Sequence, residues 1–278
     1  MSTKILEKKL LADVSGSKIV QIKLAAKDVA VKAKAGQFVV LMASEEGERI
    51  PLTIADIDEN KTTINIIFQE AGFTTRLLGK LEPGDSLYAL AGPLGHPTEI
   101  HENEDVIIVG GGVGIAEIYP VARAFKVKGN HVTTILGARN KELLILEEEL
   151  RKVSDNFYIT TDDGSYGKKG FVTDILKDLL AKRESYNLVY AVGPIPMMRK
   201  VSETTKPFNV KTLVSLNALM VDATGMCGCC RVSVGGKTRF SCVDGPEFNA
   251  HEVNWDELIK RNKIYCDKEQ HICKLSLK

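Results

Sequence analysis

Short alternations of polar and apolar residues fill the first hundred positions of the chain. Residues 17–24 alternate with the period of two that is typical of a half-buried strand, and residues 37–42 and 62–68 form further short apolar runs. Turns rich in proline and glycine separate these runs, and one helical pattern lies around residues 75–81. Residues 1–100 are therefore predicted to form a small antiparallel β-barrel.

A different pattern begins near residue 105. Residues 106–109 form a continuous apolar run, as expected of a parallel strand that is covered on both faces. Helical patterns then alternate with three further apolar runs, which are residues 132–136, 157–160 and 188–192. Strands that alternate with helices predict an open parallel sheet over residues 101–210. Residues 211–278 are left as a third module with a C-terminal tail.

The third module holds four of the six cysteines of the chain within 16 residues. Asp222, Cys227, Cys230 and Cys242 are separated by four, two and eleven residues. This is the spacing of a plant-type [2Fe–2S] cluster, with an aspartate in the place of the first cysteine. Residues 232–240 have the pattern of a hairpin with a Gly-Gly turn, which places Cys242 beside the loop. The spacing predicts an iron–sulfur cluster and one-electron chemistry.

Two questions about this site stay open from the residues alone. Zinc could use the same thiols, although a zinc site usually has a second CxxC pair and that pair is missing here. Cys229 is an extra thiol inside the loop, so either Cys229 or Asp222 could be the fourth ligand of the cluster. We favour Asp222, because a ligand directly beside Cys230 strains a tight loop.

Composition and charge exclude several classes of function. Lys and Arg number 37 against 36 Asp and Glu, so nucleic acid is not an expected partner. The first residues contain no apolar signal core, and no apolar stretch approaches the ~20 residues that cross a bilayer, so no membrane association is expected. Several cysteines without a disulfide pattern then indicate the reducing cytoplasm. Cys266 and Cys273, with His271 nearby, lack a CxxC partner and are predicted to be unpaired structural thiols.

A glycine-rich turn is the first candidate for nucleotide binding. Gly110, Gly111, Gly112 and Gly114 follow a strand and precede a helix, so the backbone can approach a pyrophosphate at the helix N-terminus. The run is not the G-x-G-x-x-G fingerprint, and such a turn can also simply permit tight packing. Its place between a barrel and further strand–helix units favours dinucleotide binding.

Two segments of the barrel are candidates for binding a flavin. An arginine in the first segment can pair with a phosphate, and the backbone and threonine hydroxyl that follow can bond the isoalloxazine edge. The second segment opens the predicted helix, where Thr74 or Thr75 is expected to be the N-cap and a diphosphate can bind in the same geometry. The candidate residues are Arg49, Pro51, Leu52 and Thr53 in the first segment and Gly72, Thr74 and Thr75 in the second. Read alone, each segment is also compatible with an ordinary turn or cap.

In their order along the chain, these motifs resemble those of the ferredoxin–NADP reductase-like flavoproteins. The further matching motifs are Gly137-Ala138-Arg139-Asn140, Asp162-Asp163-Gly164-Ser165 and Gly193-Pro194. With its cluster loop, the chain looks like the electron-transfer subunits of class B dihydroorotate dehydrogenases. It is more similar to the small subunits of NADH-dependent reduced ferredoxin:NADP oxidoreductases, whose pattern has aspartate at the position of Asp222. The resemblance implies an FAD-binding barrel, an NAD-binding domain and a [2Fe–2S] domain in this order. Ala223 and Cys229 depart from it, since glycine is expected at both positions.

The resemblance also indicates which dinucleotide is bound. It places Ala138, Arg139, Asp162, Gly193 and Pro194 at the nucleotide. Relatives that take NADP have Ser and Arg after the third strand of this domain, where this chain has Asp162 and Asp163. A carboxylate accepts hydrogen bonds from a ribose 2′-OH and repels a 2′-phosphate, so NAD(H) is predicted. The same residues could also form a plain β-turn.

The function implied by the resemblance is electron transfer. Hydride passes between NADH and FAD, electrons leave singly through the cluster, and no catalytic side chain is expected because the cofactors carry the chemistry. The implied partner is a larger flavoprotein with its own FAD and [4Fe–4S] clusters, which uses ferredoxin and NADP(H) in electron bifurcation. The alternatives are the electron-transfer subunit of an NAD-dependent dihydroorotate dehydrogenase and a redox sensor without turnover.

Overall fold

The computed structural model describes residues 3–14, 16–182 and 185–275. An antiparallel sheet of seven strands forms the first module, in the order β6-β1-β2-β5-β4-β3-β7. Its elements are β1 (Thr3–Val14), β2 (Ser17–Ala25), α1 (Lys27–Ala30), β3 (Phe38–Met42), β4 (Ile50–Ile57), β5 (Thr63–Gln69), α2 (Phe73–Lys80), β6 (Ser86–Leu87) and β7 (Ala89–Leu94). The edge strands β6 and β7 are separated only by Tyr88, so the chain brings both edges of the sheet together and the barrel is nearly closed. The predicted barrel is confirmed.

The barrel core follows directly from the alternation in the sequence. Ile22 and Leu24 on β2 and Ile64 and Ile66 on β5 are fully buried, because every second side chain of a strand points to the same face. The helix predicted near residues 75–81 begins earlier, at Phe73.

The second module is a parallel sheet with helices, as predicted. Its elements are β8 (Asp105–Gly111), α3 (Ile115–Val127), β9 (His131–Ala138), α4 (Glu147–Lys152), β10 (Asn156–Thr161), β11 (Lys168–Lys169), α5 (Val172–Lys182), β12 (Leu188–Val192), α6 (Ile195–Thr205) and β13 (Lys211–Ser215). The strand order is β11-β10-β9-β8-β12-β13, with all of these pairs parallel. The chain moves outward in one direction from β8 and in the other from β12. The carboxyl ends of β8 and β12 therefore form the topological switch point, where ligands of such sheets bind.

The third module is joined to this sheet. It contains β14 (Arg231–Val234), β15 (Lys237–Phe240), β16 (Glu247–Asn249), α7 (Trp255–Asn262) and α8 (Cys266–Leu275). The predicted hairpin is confirmed as β14 and β15, with positive φ at both glycines of its turn. The strand β16 pairs antiparallel with β13, so the sheet continues past the predicted boundary at residue 210.

A buried carboxylate lies where the three modules meet. Glu247 on β16 accepts hydrogen bonds from the hydroxyls of Thr98, at 2.5 Å, and Tyr190, at 2.8 Å. Thr98 follows the barrel and Tyr190 belongs to β12, so one side chain ties the three parts of the chain together. Among the described residues, no helix is both long and apolar enough to cross a membrane.

Candidate cofactor sites

Two neighbouring cavities open where the barrel faces the switch point of the parallel sheet. Their volumes are about 950 Å³ and 730 Å³. Both lie in the size range of cofactor sites. The walls of the two cavities have Gln69, Val113, Glu117 and Asn217 in common. Ligands in the two cavities would therefore meet at this shared wall.

The larger cavity contains most of the residues predicted to bind flavin. Strand β4 contributes three of them, α2 contributes one, and one directly precedes β4. In this order they are Pro51, Leu52 and Thr53, then Thr75, then Arg49. Thr74 is buried and its hydroxyl donates to Glu48 at 2.7 Å, so that hydrogen bond is already made within the protein. Gly72 is the N-cap of α2, and its backbone N–H donates to Thr75 Oγ1 at 2.9 Å. The expectation that Thr74 or Thr75 is the N-cap was wrong, because the helix starts at Phe73.

Two further parts of the larger cavity were missed in the sequence. Residues 215–221 form one side of it and lead directly into the cluster loop. Helix α8 contributes Lys268, Glu269 and Ile272, and Tyr265 directly precedes it; the four residues are spaced as one face of a helix. This spacing could have predicted α8 from the sequence. Nothing nearby in the sequence indicates that this face of the helix lines the larger cavity.

The smaller cavity contains most of the residues predicted to bind the nucleotide. Those that line it are Gly111, Gly112, Gly114, Ala138, Arg139, Asp162, Gly193 and Pro194. Gly112 has a φ of 56°, and among the described residues no atom lies within 4 Å of the place where a Cβ would stand. The backbone is thus open to a ligand at the N-terminal side of α3, which suits a pyrophosphate.

Gly110 has a different role from its neighbours. A Cβ at this position would lie 2.6 Å from Cδ1 of Ile118 on α3. The structure therefore places Gly110 at the contact between β8 and α3, where it permits close packing, and outside the wall of the cavity.

The two acidic residues after β10 have separate roles. Asp163 accepts a hydrogen bond from the backbone N–H of Ser165 at 2.8 Å and so forms the turn. Asp162 lines the cavity, where a carboxylate can receive a ribose hydroxyl. Arg139 also lines the cavity, but its Nη2 donates to Ser17 Oγ at 2.5 Å and links the sheet to β2 of the barrel.

The cysteine loop brings the predicted cluster ligands together as two pairs. The Sγ atoms of Cys230 and Cys242 are 3.2 Å apart and both residues are buried. Burial and the neighbouring Cys230 thiol raise the pKa of Cys242 to about 12. Asp222 and Cys227 make the other pair, and Cys227 contributes to lowering the pKa of Asp222. Two buried thiols in contact become thiolates readily only beside a cation, so this donor set suits a metal centre.

The pairwise arrangement bears on the choice between zinc and iron. Among the described residues, no three His, Cys, Asp or Glu side chains gather around one point as ligands of a single ion. Zinc requires four ligands about one point, whereas a two-iron cluster requires two ligands at each iron. The donor pairs therefore fit a [2Fe–2S] cluster better than zinc.

Asp222 and Cys229 are both close enough to Cys227 to interact with it. A hydrogen bond from the backbone N–H of Thr224 is the main cause that holds the pKa of Asp222 below its usual range, and the Cys227 contact and the charge of Arg49 also lower it. Burial and then the Cys227 thiol raise the pKa of Cys229. Both candidates for the fourth ligand therefore lie beside Cys227, and the choice of Asp222 stays a prediction.

The cysteines of α8 lie apart from the cluster loop in the chain. Cys266 is a free thiol whose Sγ lies 3.6 Å from the carbonyl oxygen of Asn262. The side chain of Cys273 lies outside the described residues, so the prediction of an unpaired thiol there stays a prediction.

These features define a ferredoxin reductase-like oxidoreductase in which a nucleotide site, a flavin site and a cluster loop are neighbours. Residues 108–203 match the oxidoreductase NAD-binding domain, and residues 217–254 match the iron-sulfur cluster binding domain of dihydroorotate dehydrogenase B. The chain belongs to the family of dihydroorotate dehydrogenase B electron-transfer subunits. It is 47% identical to the homologue of this subunit from Thermotoga maritima over 242 residues, which are 87% of this chain and 85% of the relative.

Solved structures agree with this family. The structure of the NADH-dependent reduced ferredoxin-NADP oxidoreductase, solved to study flavin-based electron bifurcation, contains a chain with 43% identity and a TM-score of 0.91. The match covers 99% of this chain and 98% of that one. Ferredoxin-NADP+ reductase from Plasmodium falciparum matches with a TM-score of 0.59 at 15% identity, over 74% and 88% of the two chains, which shows the shared fold. The predicted fold and the classes of cofactor, FAD, NAD and iron–sulfur, are confirmed.

Proposed function

We propose that this chain is the NADH-oxidising subunit of an electron-bifurcating NADH-dependent reduced ferredoxin–NADP oxidoreductase. The observation that carries the proposal is the continuity of the three sites. The nucleotide cavity shares a wall with the flavin cavity, and residues 215–221 of the flavin cavity lead into the cluster loop. A path for electrons from nucleotide to flavin to cluster is thereby laid out within one chain.

The side chains and backbone of this path bind and orient the cofactors. When bound, FAD exchanges hydride with NADH and the cluster carries electrons one at a time, which is chemistry that the cofactors supply. Gln69, Val113 and Asn217, in the shared wall, would contact both bound ligands. Arg49, beside the flavin cavity, is placed to pair with a phosphate of FAD.

The ligands and module boundaries that we assign follow the sequence and the geometry together. Asp222, Cys227, Cys230 and Cys242 hold the cluster, one pair at each iron. Residues 1–100 bind FAD, and the NAD-binding module extends from residue 101 through β13, beyond the predicted end at residue 210. The remaining residues to 278 form the cluster module, which returns β16 to the sheet.

Asp162 is the residue that we assign to the choice of nucleotide. It lines the cavity after β10, while Asp163 forms the turn, so the Asp162 carboxylate is available to the ribose. A carboxylate at this position favours NAD(H) over NADP(H), because it accepts from a 2′-OH and repels a 2′-phosphate.

The proposed partner is a larger flavoprotein with its own FAD and [4Fe–4S] clusters, which handles ferredoxin and NADP(H). Five of the cysteines are free in the described residues, which suits a reducing cytoplasm. The test is anaerobic purification of the tagged chain from its native cells, followed by flavin, iron and sulfide analysis and identification of the bound subunit. Recovery of a subunit with [4Fe–4S] clusters and NADPH-dependent activity supports the proposal.

A second candidate is the electron-transfer subunit of an NAD-dependent dihydroorotate dehydrogenase. The match of residues 217–254 to the cluster domain of that enzyme favours it. Recovery of an FMN-containing subunit that oxidises dihydroorotate would select this candidate over the first. A purified chain that binds FAD but does not reduce a dye with NADH would instead favour a redox sensor.

A further inference from the structure

Glu117 is an ionisable side chain in the wall between the two cavities. It is the third residue of α3, which begins at the glycine-rich turn, and it lines both the flavin and the nucleotide cavity. The other shared residues, Gln69, Val113 and Asn217, do not titrate. A carboxyl group therefore stands where hydride is exchanged in the proposed function.

The contacts of Glu117 connect it to the flavin cavity. The Thr53 side chain on β4 is near enough to the Glu117 carboxylate to lower its pKa, and Thr53 itself lines that cavity. Burial is the main influence on this carboxyl, and it raises the pKa of Glu117 to about 7, against the opposing effect of Thr53. Near neutral pH the group can both accept and donate a proton.

The stoichiometry of the proposed function leaves one proton in the flavin cavity for each hydride that enters. Hydride consists of a proton and two electrons, and an iron–sulfur cluster takes only the electrons. Each hydride that arrives from NADH and leaves through the cluster therefore leaves a proton behind in the flavin cavity. A group within hydrogen-bonding reach has to remove it, or return it when electrons flow the other way.

We propose that Glu117, through the hydroxyl of Thr53, accepts this proton. With FAD and the cluster bound, the electrons would leave one at a time and the flavin N–H bond formed by the hydride would break. The Thr53 oxygen would take that proton while its own O–H bond breaks, and the proton so released would form the O–H bond on Glu117. The carboxyl then releases the proton to water in the open cavities. This assignment rests on the proposed function, since it requires hydride to enter and single electrons to leave.

Other titratable and charged groups lie on the elements packed against Glu117 and along the walls of the two cavities. Asp56 on β4 pairs with Arg123 of α3 at 2.6 Å. Tyr190 on β12 is fully buried, and the charge of Glu117 contributes, after burial and Glu247, to raising its pKa. The charged residues that line the cavities elsewhere are Glu48, Arg49, Arg139, Asp162, Lys200, Lys268 and Glu269.

The first experiment measures the proton on Glu117 directly. Infrared difference spectra of the full chain freed of FAD, labelled with ¹³C in its glutamate carboxyls, are recorded from pH 5 to 9. We expect one buried carboxyl that titrates near pH 7, is absent in Glu117→Gln and persists in Glu149→Gln. Glu149 is a matched control, because it is the third residue of α4 and lies away from both cavities. Thr53→Val should move this titration to higher pH, since the Thr53 side chain stabilises the ionised form.

The second experiment separates the two half-reactions of the holoprotein by anaerobic stopped flow. Reduction of the flavin by NADH needs no added proton, so Glu117→Gln should slow it at least tenfold less than it slows reoxidation. Reoxidation by a one-electron acceptor should slow about 10²–10⁴-fold and lose its pH dependence near 7, as expected when a proton-transfer group is removed. Equal effects on both half-reactions, or a titration that survives in Glu117→Gln, would overturn the assignment. Absence of FAD reduction in the wild-type protein would refute the proposed function instead, and the infrared titration would still report on Glu117.

Discussion

Because the backbone at Gly112 is open to the cavity, a substitution there tests the proposed nucleotide site directly. Its φ of 56° is in the left-handed region, and the space where a Cβ would stand is free of other described atoms. Replacement by alanine therefore meets no protein atom but places a methyl group at the wall of the cavity. The change should act on the bound nucleotide, because the backbone can no longer approach the pyrophosphate closely.

The size of the effect can be estimated from the contacts that are lost. Hydrogen bonds to a charged group contribute about 1.5–3 kcal/mol each. Loss of one such bond to the pyrophosphate corresponds to a dissociation constant for NADH that is about 10- to 150-fold higher. Alanine in the left-handed region additionally lowers the stability of the folded chain by roughly 1–2 kcal/mol.

Gly110→Ala is the matched control for this experiment. Its methyl group would press on Ile118, so it should lower the melting temperature while the affinity of the folded fraction for NADH changes little. Both variants are titrated with NADH by calorimetry and melted in parallel. If Gly112→Ala binds NADH within twofold of the wild type, the exposed backbone at Gly112 does not bind the pyrophosphate. The same conclusion follows if Gly110→Ala weakens NADH binding equally.

Four further substitutions test the nucleotide choice, the cluster ligands and the junction of the modules. Asp162→Ser should lower the preference for NADH over NADPH at least tenfold in dye-reduction assays, because the 2′-phosphate is no longer repelled; an unchanged ratio contradicts the assignment. Asp222→Ala should disrupt the EPR signal of the reduced cluster while Cys229→Ser leaves it nearly intact, and the reverse result would make Cys229 the ligand. Tyr190→Phe removes a hydrogen bond that lowers the pKa of Glu247, a carboxyl whose pKa burial raises. The folded state then favours protonated Glu247, so the loss of about 1–3 kcal/mol should be larger at pH 8 than at pH 5, and equal losses in thermal melts would argue against an ionised Glu247.

Features with a local physical cause were predictable from the sequence. The hairpin of β14 and β15 was found because Gly235 and Gly236 permit the positive φ angles of 57° and 73° that the turn requires. The strand–glycine–helix unit at β8 and α3 was found in the same way, since the apolar run, the glycines and the helix follow one another directly. The hydrophobic period and the turn residues of such elements lie within a few positions of each other.

Features that depend on distant partners were not predictable in this way. Helix α4 begins only at Glu147, because Leu146, its N-cap, has a left-handed φ of 53°. The three residues of β16 carry no strand pattern of their own and form a strand only because the edge of β13 is available to them. The sequence also did not show that Asp163 forms the turn while Asp162 lines the cavity, since either residue could form the turn.

The connection between the flavin cavity and the cluster loop is one of the features that the sequence did not reveal, and it bears directly on the proposed function. Residues 215–221 leave the end of β13, form one wall of the flavin cavity and continue into Asp222. Arg49 lines the same cavity and its charge contributes to lowering the pKa of Asp222. An arginine suited to a flavin phosphate thus also favours the ionised, metal-binding form of the proposed aspartate ligand. One short segment and one side chain therefore contribute to both of the proposed sites.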